Sequence, residues 1–370
     1  MKNYGILKKT LVGVCHNLRK LTLDQKEWFL AKSKKGIRKR HKRKALKSNL
    51  KSGRSKRTSA TPVSRKHIHQ TAVVRAPKIL SVFNNSTETL NFFDEVKVKI
   101  RSLNYKDNLF FDLSGIEIVS VGAIMYLIAM IKNTKRVKAM GINCAGNVPR
   151  EPMARTIFET CGFYTYVSPQ YNFKRPASND HINITRGKEA APEIAGNICE
   201  FVHAHSHCDR IATKALYKMI LELMANTKQH AYTNNKEMDN NWYVYVEDCD
   251  KYLRFVFLDT GSGIPNTIRT KGIFEKVKNY FSLNDAYFIA SALRGELRSE
   301  TGLSYRGKGL PEIYNKVVSR YISEFSIVSG YGKCMVDENG DISESNFENE
   351  LKGTMLCWKL NKCEQGNDYE

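Results

Sequence analysis

The sequence predicts an α/β (α+β) fold in two successive units behind a basic N-terminal arm, and three observations predict it. Short apolar strands alternate with helix-periodic stretches from about Ala76 to Ser168. Further along, two alternating strands, WYVYVED from Trp242 and YLRFVFLD from Tyr252, are separated by a short polar turn and read as a hairpin. The third observation is that charge is confined to one end. The 370 residues carry a formal charge of +22, yet Met1 to Gln70 alone hold 22 Lys and Arg against two acids, Asp24 and Glu27, and the other 300 residues hold 37 basic against 35 acidic side chains.

Residues 1–75 are therefore expected to form a basic, largely disordered arm. Its densest block, Lys32 to Arg57, repels itself and cannot pack. Two readings stay open: an arm for nucleic-acid phosphate through residues 1–70, with affinity that falls steeply as salt rises, or a solvated leader without a ligand. Nine scattered cysteines, odd in number and never in CxxC spacing, point to a reducing, cytoplasmic setting rather than a disulfide frame or a zinc ribbon. No apolar run approaches the roughly 18 residues of a membrane span, and the N-terminus lacks a signal peptide's apolar core, so no membrane is expected.

In residues 76–170, Thr87 to Leu103 reads as an amphipathic helix, LFFDLSG as a short strand closed by a turn, and the stretch from Ile118 into Lys135 as a strongly apolar helix. VKAMGINCAG then reads as a strand, and MARTIFETCGF as a helix stopped by Gly162. Residues 171–208 read as a connector with a helical lead-in. His203, His205 and His207 alternate there beside Cys208; alternate residues do not share a helix face, so they read as solvated or locally bonded rather than as metal ligands.

Residues 209–362 carry the chemistry. The helix Lys214 to Ala231 places Glu222 and Asn226 one turn apart on one face, a carboxylate and an amide suited to a base and to an oxygen ligand for a hard cation. The second hairpin strand runs into Asp259-Thr260-Gly261-Ser262-Gly263, where the carboxylate is placed to accept from an exocyclic amine and the glycines let backbone approach a flat ring. Gly307, Lys308 and Gly309 precede a helix beginning near Leu310, whose first amides can hold phosphate oxygens. Gly302 to Lys308 also matches the first seven positions of a Walker A loop, but Gly309 replaces its Ser or Thr and no buried strand feeds it, so the match reads as accidental. FSIVSGYGKCMV and GTMLCWKL are expected as strands, joined by a long exposed loop over Asp337 to Glu350, and residues 363–370 as a tail.

Two resemblances follow from these residues. FFDLSGIEIV, the Ser120-Val121-Gly122 helix start and the later helix ending in CGF resemble the STAS domain of anti-sigma-factor antagonists. Val121 stands where that family carries its phosphate-accepting hydroxyl, so a binding or packing unit is implied, with Ser120 the neighbouring hydroxyl. The ordered set E-x-x-x-N, D-x-G-x-G, G-x-G-L before a helix, and Gly353-Thr354 resembles the GHKL superfamily of gyrase-type topoisomerases, histidine kinases, mismatch-repair ATPases and anti-sigma serine kinases.

The second resemblance implies a two-layer α/β sandwich that binds ATP and Mg2+. It implies that Asn226 ligates magnesium, Glu222 is the general base, Asp259 binds the adenine amine, and Gly261 and Gly263 shape the base pocket. Gly307, Lys308 and Gly309 would belong to a lid over the phosphates, and Thr354 would hydrogen-bond near the adenine. An ATPase or serine/threonine-kinase-like switch acting on a protein partner is the leading expectation. A nucleotide-dependent binding module without turnover and a nucleic-acid-associated ATPase stay open, as does a homodimer.

Overall fold

The computed structural model describes residues 69–167, 179–206, 210–229, 237–270, 284–296, 309–319 and 322–362. Residues 1–68 of the expected arm, His207, Cys208, Gly307, Lys308 and the C-terminal tail lie outside the described residues. Thr71–Arg75, expected as the end of the arm, is instead a strand paired with Asn108–Asp112 and belongs to the fold.

The first half opens with β1 (Thr71–Arg75), β2 (Ile79–Leu80), α1 (Ser86–Ser102), β3 (Asn108–Asp112), β4 (Ile118–Val119) and α2 (Val121–Asn133). It continues through α3 (Lys135–Met140), β5 (Asn143–Gly146), α4 (Pro152–Thr160) and α5 (Phe163–Val167). Strands β1, β3 and β5 form a parallel sheet in that order, and β2 pairs with β4, also parallel. The stretch expected as a strand from Val137 divides. Its first half is the short helix α3, which Gly141 ends at φ +60°, and only Asn143–Gly146 is extended.

The second half contains β6 (His181–Gly187), α6 (Pro192–Ser206), α7 (Arg210–Gln229), β7 (Trp242–Asp248), β8 (Tyr252–Asp259) and α8 (Ile264–Thr270). It ends with α9 (Asp285–Arg294), α10 (Gly309–Val318), β9 (Ile322–Val336) and β10 (Ile342–Asn361). Five strands make one sheet in the order β6-β7-β8-β10-β9, each pair antiparallel. The stretch read as a connector with a helical lead-in has its helix, α6, and contributes the edge strand β6 as well. The loop expected over Asp337 to Glu350 is also mostly strand. Asp337 closes a tight turn by accepting from the Asn339 and Asp341 amides through Oδ1, and Ile342 to Asn346 pair back onto Val336 to Gly332. This ribbon is exposed, so it lacks the apolar alternation that marks a half-buried strand.

Both faces of the five-stranded sheet are covered. Because side chains alternate along a strand, Trp242, Val244, Val246, Phe255, Phe257, Leu356 and Trp358 pack with α6, α7, α9 and α10. Tyr243, Tyr245, Val256, Leu258, Val328 and Met355 share the other core with α1 and α2. Helix α2 explains the second core. Gly122 through Met130 are all buried, and a helix that is apolar all round must be enclosed. It starts at Ser120, whose side chain accepts from the Ala123 amide, and it lies against the sheet closely enough that a Cβ on Gly122 would stand 2.9 Å from Met355 Sδ and 3.4 Å from Val256 Cγ1.

Polar ties join the same layers. Lys352 N donates to Tyr126 Oη at 2.9 Å, Lys97 Nζ to Glu350 O at 2.8 Å, and Lys333 Nζ to Phe83 O at 2.7 Å. Burial holds both ammonium groups below their ordinary pKa. Gly122→Val is expected to cost about 1–3 kcal/mol by overpacking this contact, read as a lowered denaturation midpoint with an unchanged m-value.

Candidate functional site

The site begins with strand register. Trp242 on β7 pairs with Asp259 on β8, Asp259 with Thr354 on β10, and Thr354 with Ser329 on β9. Directly opposed residues project to the same face, so these four side chains form a row across the sheet. The row lies on the face that carries Phe255 and Phe257, toward the helical layer.

Asp259 ends β8 and is partly exposed. Its Oδ1 accepts from the Gly261 amide at 2.9 Å. Desolvation pushes its carboxyl up to about 6, and hydrogen bonds from the Gly261 amide and the Thr227 hydroxyl hold it from rising further. Near neutral pH it is mostly ionised and can only accept.

Beside it, Thr354 is buried, with Oγ1 2.9 Å from Ser329 Oγ. Ser329 Oγ accepts from the Ile264 amide at 2.9 Å and donates to Gly353 O at 2.8 Å, which pins the end of the Gly-rich turn to β10. Gly353 has φ +106°, and a Cβ there would overlap the Asp259 carbonyl oxygen. The turn is anchored from below as well. Buried Thr260 receives the Asn241 amide at 3.0 Å and donates to Asp239 O at 2.8 Å, and Asn133 at the end of α2 reaches its hydroxyl at 3.4 Å.

Helix α7 brings the other groups. Glu222 and Asn226 are both partly buried. Thr227, the residue after Asn226, faces Asp259, and its hydroxyl also lies 3.4 Å from Leu223 O. At the other end of the same turn, a Cβ on Gly309 would lie 2.7 Å from Glu222 Oε2. The N-terminus of α10 therefore stands against the Glu222 carboxylate, the arrangement in which its partial positive charge meets an anion. One short segment of α7, Glu222 to Thr227, thus touches both Asp259 and Gly309 and carries Asn226 between them.

The structure brings together Glu222, Asn226, Asp259, Gly261, Gly263, Gly309 and Thr354 around α7, the end of β8 and the Gly353–Thr354 segment inside β10. Gly307 and Lys308 lie outside the described residues. Sequence reasoning missed Thr227, Trp242 and Ser329. A small polar residue on the inward face of the apolar strand Phe325 to Val328 was the available signal for Ser329. The histidines are elsewhere: His205 Nδ1 meets Asp248 Oδ2 at 2.9 Å and its ring stacks on Phe201, while His203 is exposed. Among the described residues no cluster of three or more His, Cys, Asp or Glu could hold a metal, and no helix is long and apolar enough to cross a membrane. No protein-family model matches this chain, and no curated protein matches it.

Proposed function

We infer that the chain binds ATP with magnesium in the manner of the GHKL superfamily, and that it works as an ATPase or kinase-like switch on a protein partner. The observation that carries this is the meeting of the Asp259–Thr354 pair with the Glu222–Thr227 turn and the Gly309 helix start. Two directly opposed acceptors, Asp259 at the end of β8 and Thr354 within β10, suit an exocyclic amine, and glycines leave room for a flat ring beside them. Asn226 Oδ1 would hold magnesium, a cation that keeps water and phosphate oxygens as its other ligands and so needs no carboxylate cluster. The ion supplies charge neutralisation at the phosphates. Glu222 would take the proton of water or a hydroxyl, and the amides that open α10 would face anionic oxygens.

Asn226→Ala is expected to abolish magnesium-dependent ATP binding, measured by calorimetry. Glu222→Gln is expected to retain binding and to slow phosphate release by about 10²–10⁴-fold. Unchanged affinity in the first variant would sink the assignment.

A second reading, a nucleotide-dependent binding module without turnover, has one specific observation in its favour. Val121 offers no hydroxyl, and Ser120 is committed to capping α2, whose residues Gly122 to Met130 are all buried. The N-terminal layer then serves to pack and bind rather than to accept phosphate. Absence of phosphate release in both wild type and Glu222→Gln, with binding intact, selects this reading.

A further inference from the structure

The geometry points to Ser329 as a positioning residue that fixes the proton of the Thr354 hydroxyl and thereby makes the site select a 6-amino purine over a 6-oxo purine. This rests on the nucleotide reading above and goes beyond it to the origin of base discrimination.

Ser329 is fully buried, and its hydroxyl has one proton and two lone pairs. Three partners surround Oγ: Gly353 O at 2.8 Å, the Ile264 amide at 2.9 Å and Thr354 Oγ1 at 2.9 Å. A carbonyl oxygen cannot donate, so the single Ser329 proton goes to Gly353. The Ile264 N–H can only donate, so it occupies one lone pair. The bond that remains must be donated by Thr354, whose proton therefore points at Ser329. Thr354 Oγ1 is left with lone pairs alone. Its cross-strand neighbour Asp259 is also an acceptor, being mostly ionised near neutral pH.

Two adjacent acceptors match the two N–H bonds of an exocyclic amine. A carbonyl oxygen placed there meets two like partial charges and leaves both acceptors unpaired, which is costly in a desolvated place. Without Ser329 the Thr354 hydroxyl is free to turn and donate, and the discrimination weakens. Ser329 does not touch the base in this account; it acts through Thr354.

The experiment titrates ATP and inosine 5′-triphosphate, which differ at the purine 6-position, with magnesium against wild type, Ser329→Ala, the near-isosteric Ser329→Cys, Thr354→Val and the Ser329→Ala/Thr354→Val double variant. Wild type is expected to prefer ATP by at least about 100-fold, as a site built around a hydrogen-bonding group does. Ser329→Ala should shrink that ratio by about 10-fold or more, and Ser329→Cys should shift it in the same direction. In the Thr354→Val background Ser329→Ala should leave the ratio unmoved, because no hydroxyl remains to be oriented. Equal weakening of both nucleotides in the Ser329 variants indicates a structural role and overturns the inference, as does an unchanged ratio or a wild type without preference. A wild type that binds neither nucleotide removes the nucleotide reading itself, and this inference with it.

Discussion

Asp259→Asn is expected to lose ATP binding and, at the same time, to make the ligand-free protein more stable. The two effects share one cause. The native carboxyl is pushed up from 3.8 to about 6 because its charged form is partly stripped of water, which the Gly261 amide and the Thr227 hydroxyl offset in part. A raised carboxyl pKa means that the folded state binds more protons than the unfolded state between those two values. Stability therefore falls as pH rises from about 4 through about 6, and the loss is complete at neutral pH. Asn carries no charge to desolvate and still accepts the Gly261 amide. It should recover on the order of 2 kcal/mol at pH 7, or roughly 2–6 °C in Tm.

In the proposed nucleotide site the same ionisation would set affinity. The charged carboxylate is the acceptor that an amine needs, so wild-type affinity for ATP should drop as pH falls through about 6. Thermal melts and calorimetric titrations at pH 5, 6 and 7.5 check both halves. A variant no more stable than wild type at pH 7.5 would contradict the electrostatic cause.

Gly353→Ala should be the most damaging single methyl group in the described structure. At φ +106° an L side chain is strained whatever the space. Here the space is absent too, since the Cβ would overlap Asp259 O and sit 2.9 Å from its carbonyl carbon and 3.0 Å from Thr260 Cα. All three obstacles are backbone, so no rotamer change relieves them. A loss of about 3 kcal/mol or more is expected in denaturant unfolding. Any population that folds must move β10 away from β8 beside Thr354 and Asp259, so its nucleotide affinity should fall as well.

Much of this architecture is legible in the sequence where a local period carries it. The Glu222–Asn226 face follows from helical spacing, the hairpin of β7 and β8 from strand alternation, and the start of α10 from the glycines ahead of Leu310. What is not legible depends on pairing between distant segments. The run Gly122 to Met130 announces a buried helix, but nothing within it says that it packs on a sheet whose strands all follow it in the chain, from His181 to Asn361. Thr354 was placed near Asp259 only through resemblance, because the register of β10 on β8 is a long-range fact. Ser329 needed two such registers before it entered the site. The exposed ribbon after Asp337 misled in the opposite way: backbone pairing without burial leaves a polar sequence that reads as loop. Helix α3 shows the limit of local propensity, since the short VKAM segment fits a strand equally well and Gly141 decides where the helix stops.

Asp259, Thr354, Asn226 and Glu222 are proposed to form one magnesium-nucleotide site. The most direct test is calorimetric titration of ATP into the full chain with magnesium, in wild type and in Asp259→Asn at pH 7.5. Saturable one-to-one binding is expected in wild type and should disappear in the variant, while the variant melts at a higher temperature. Absence of saturable binding in wild type, or equal binding in both proteins, would contradict the proposed site.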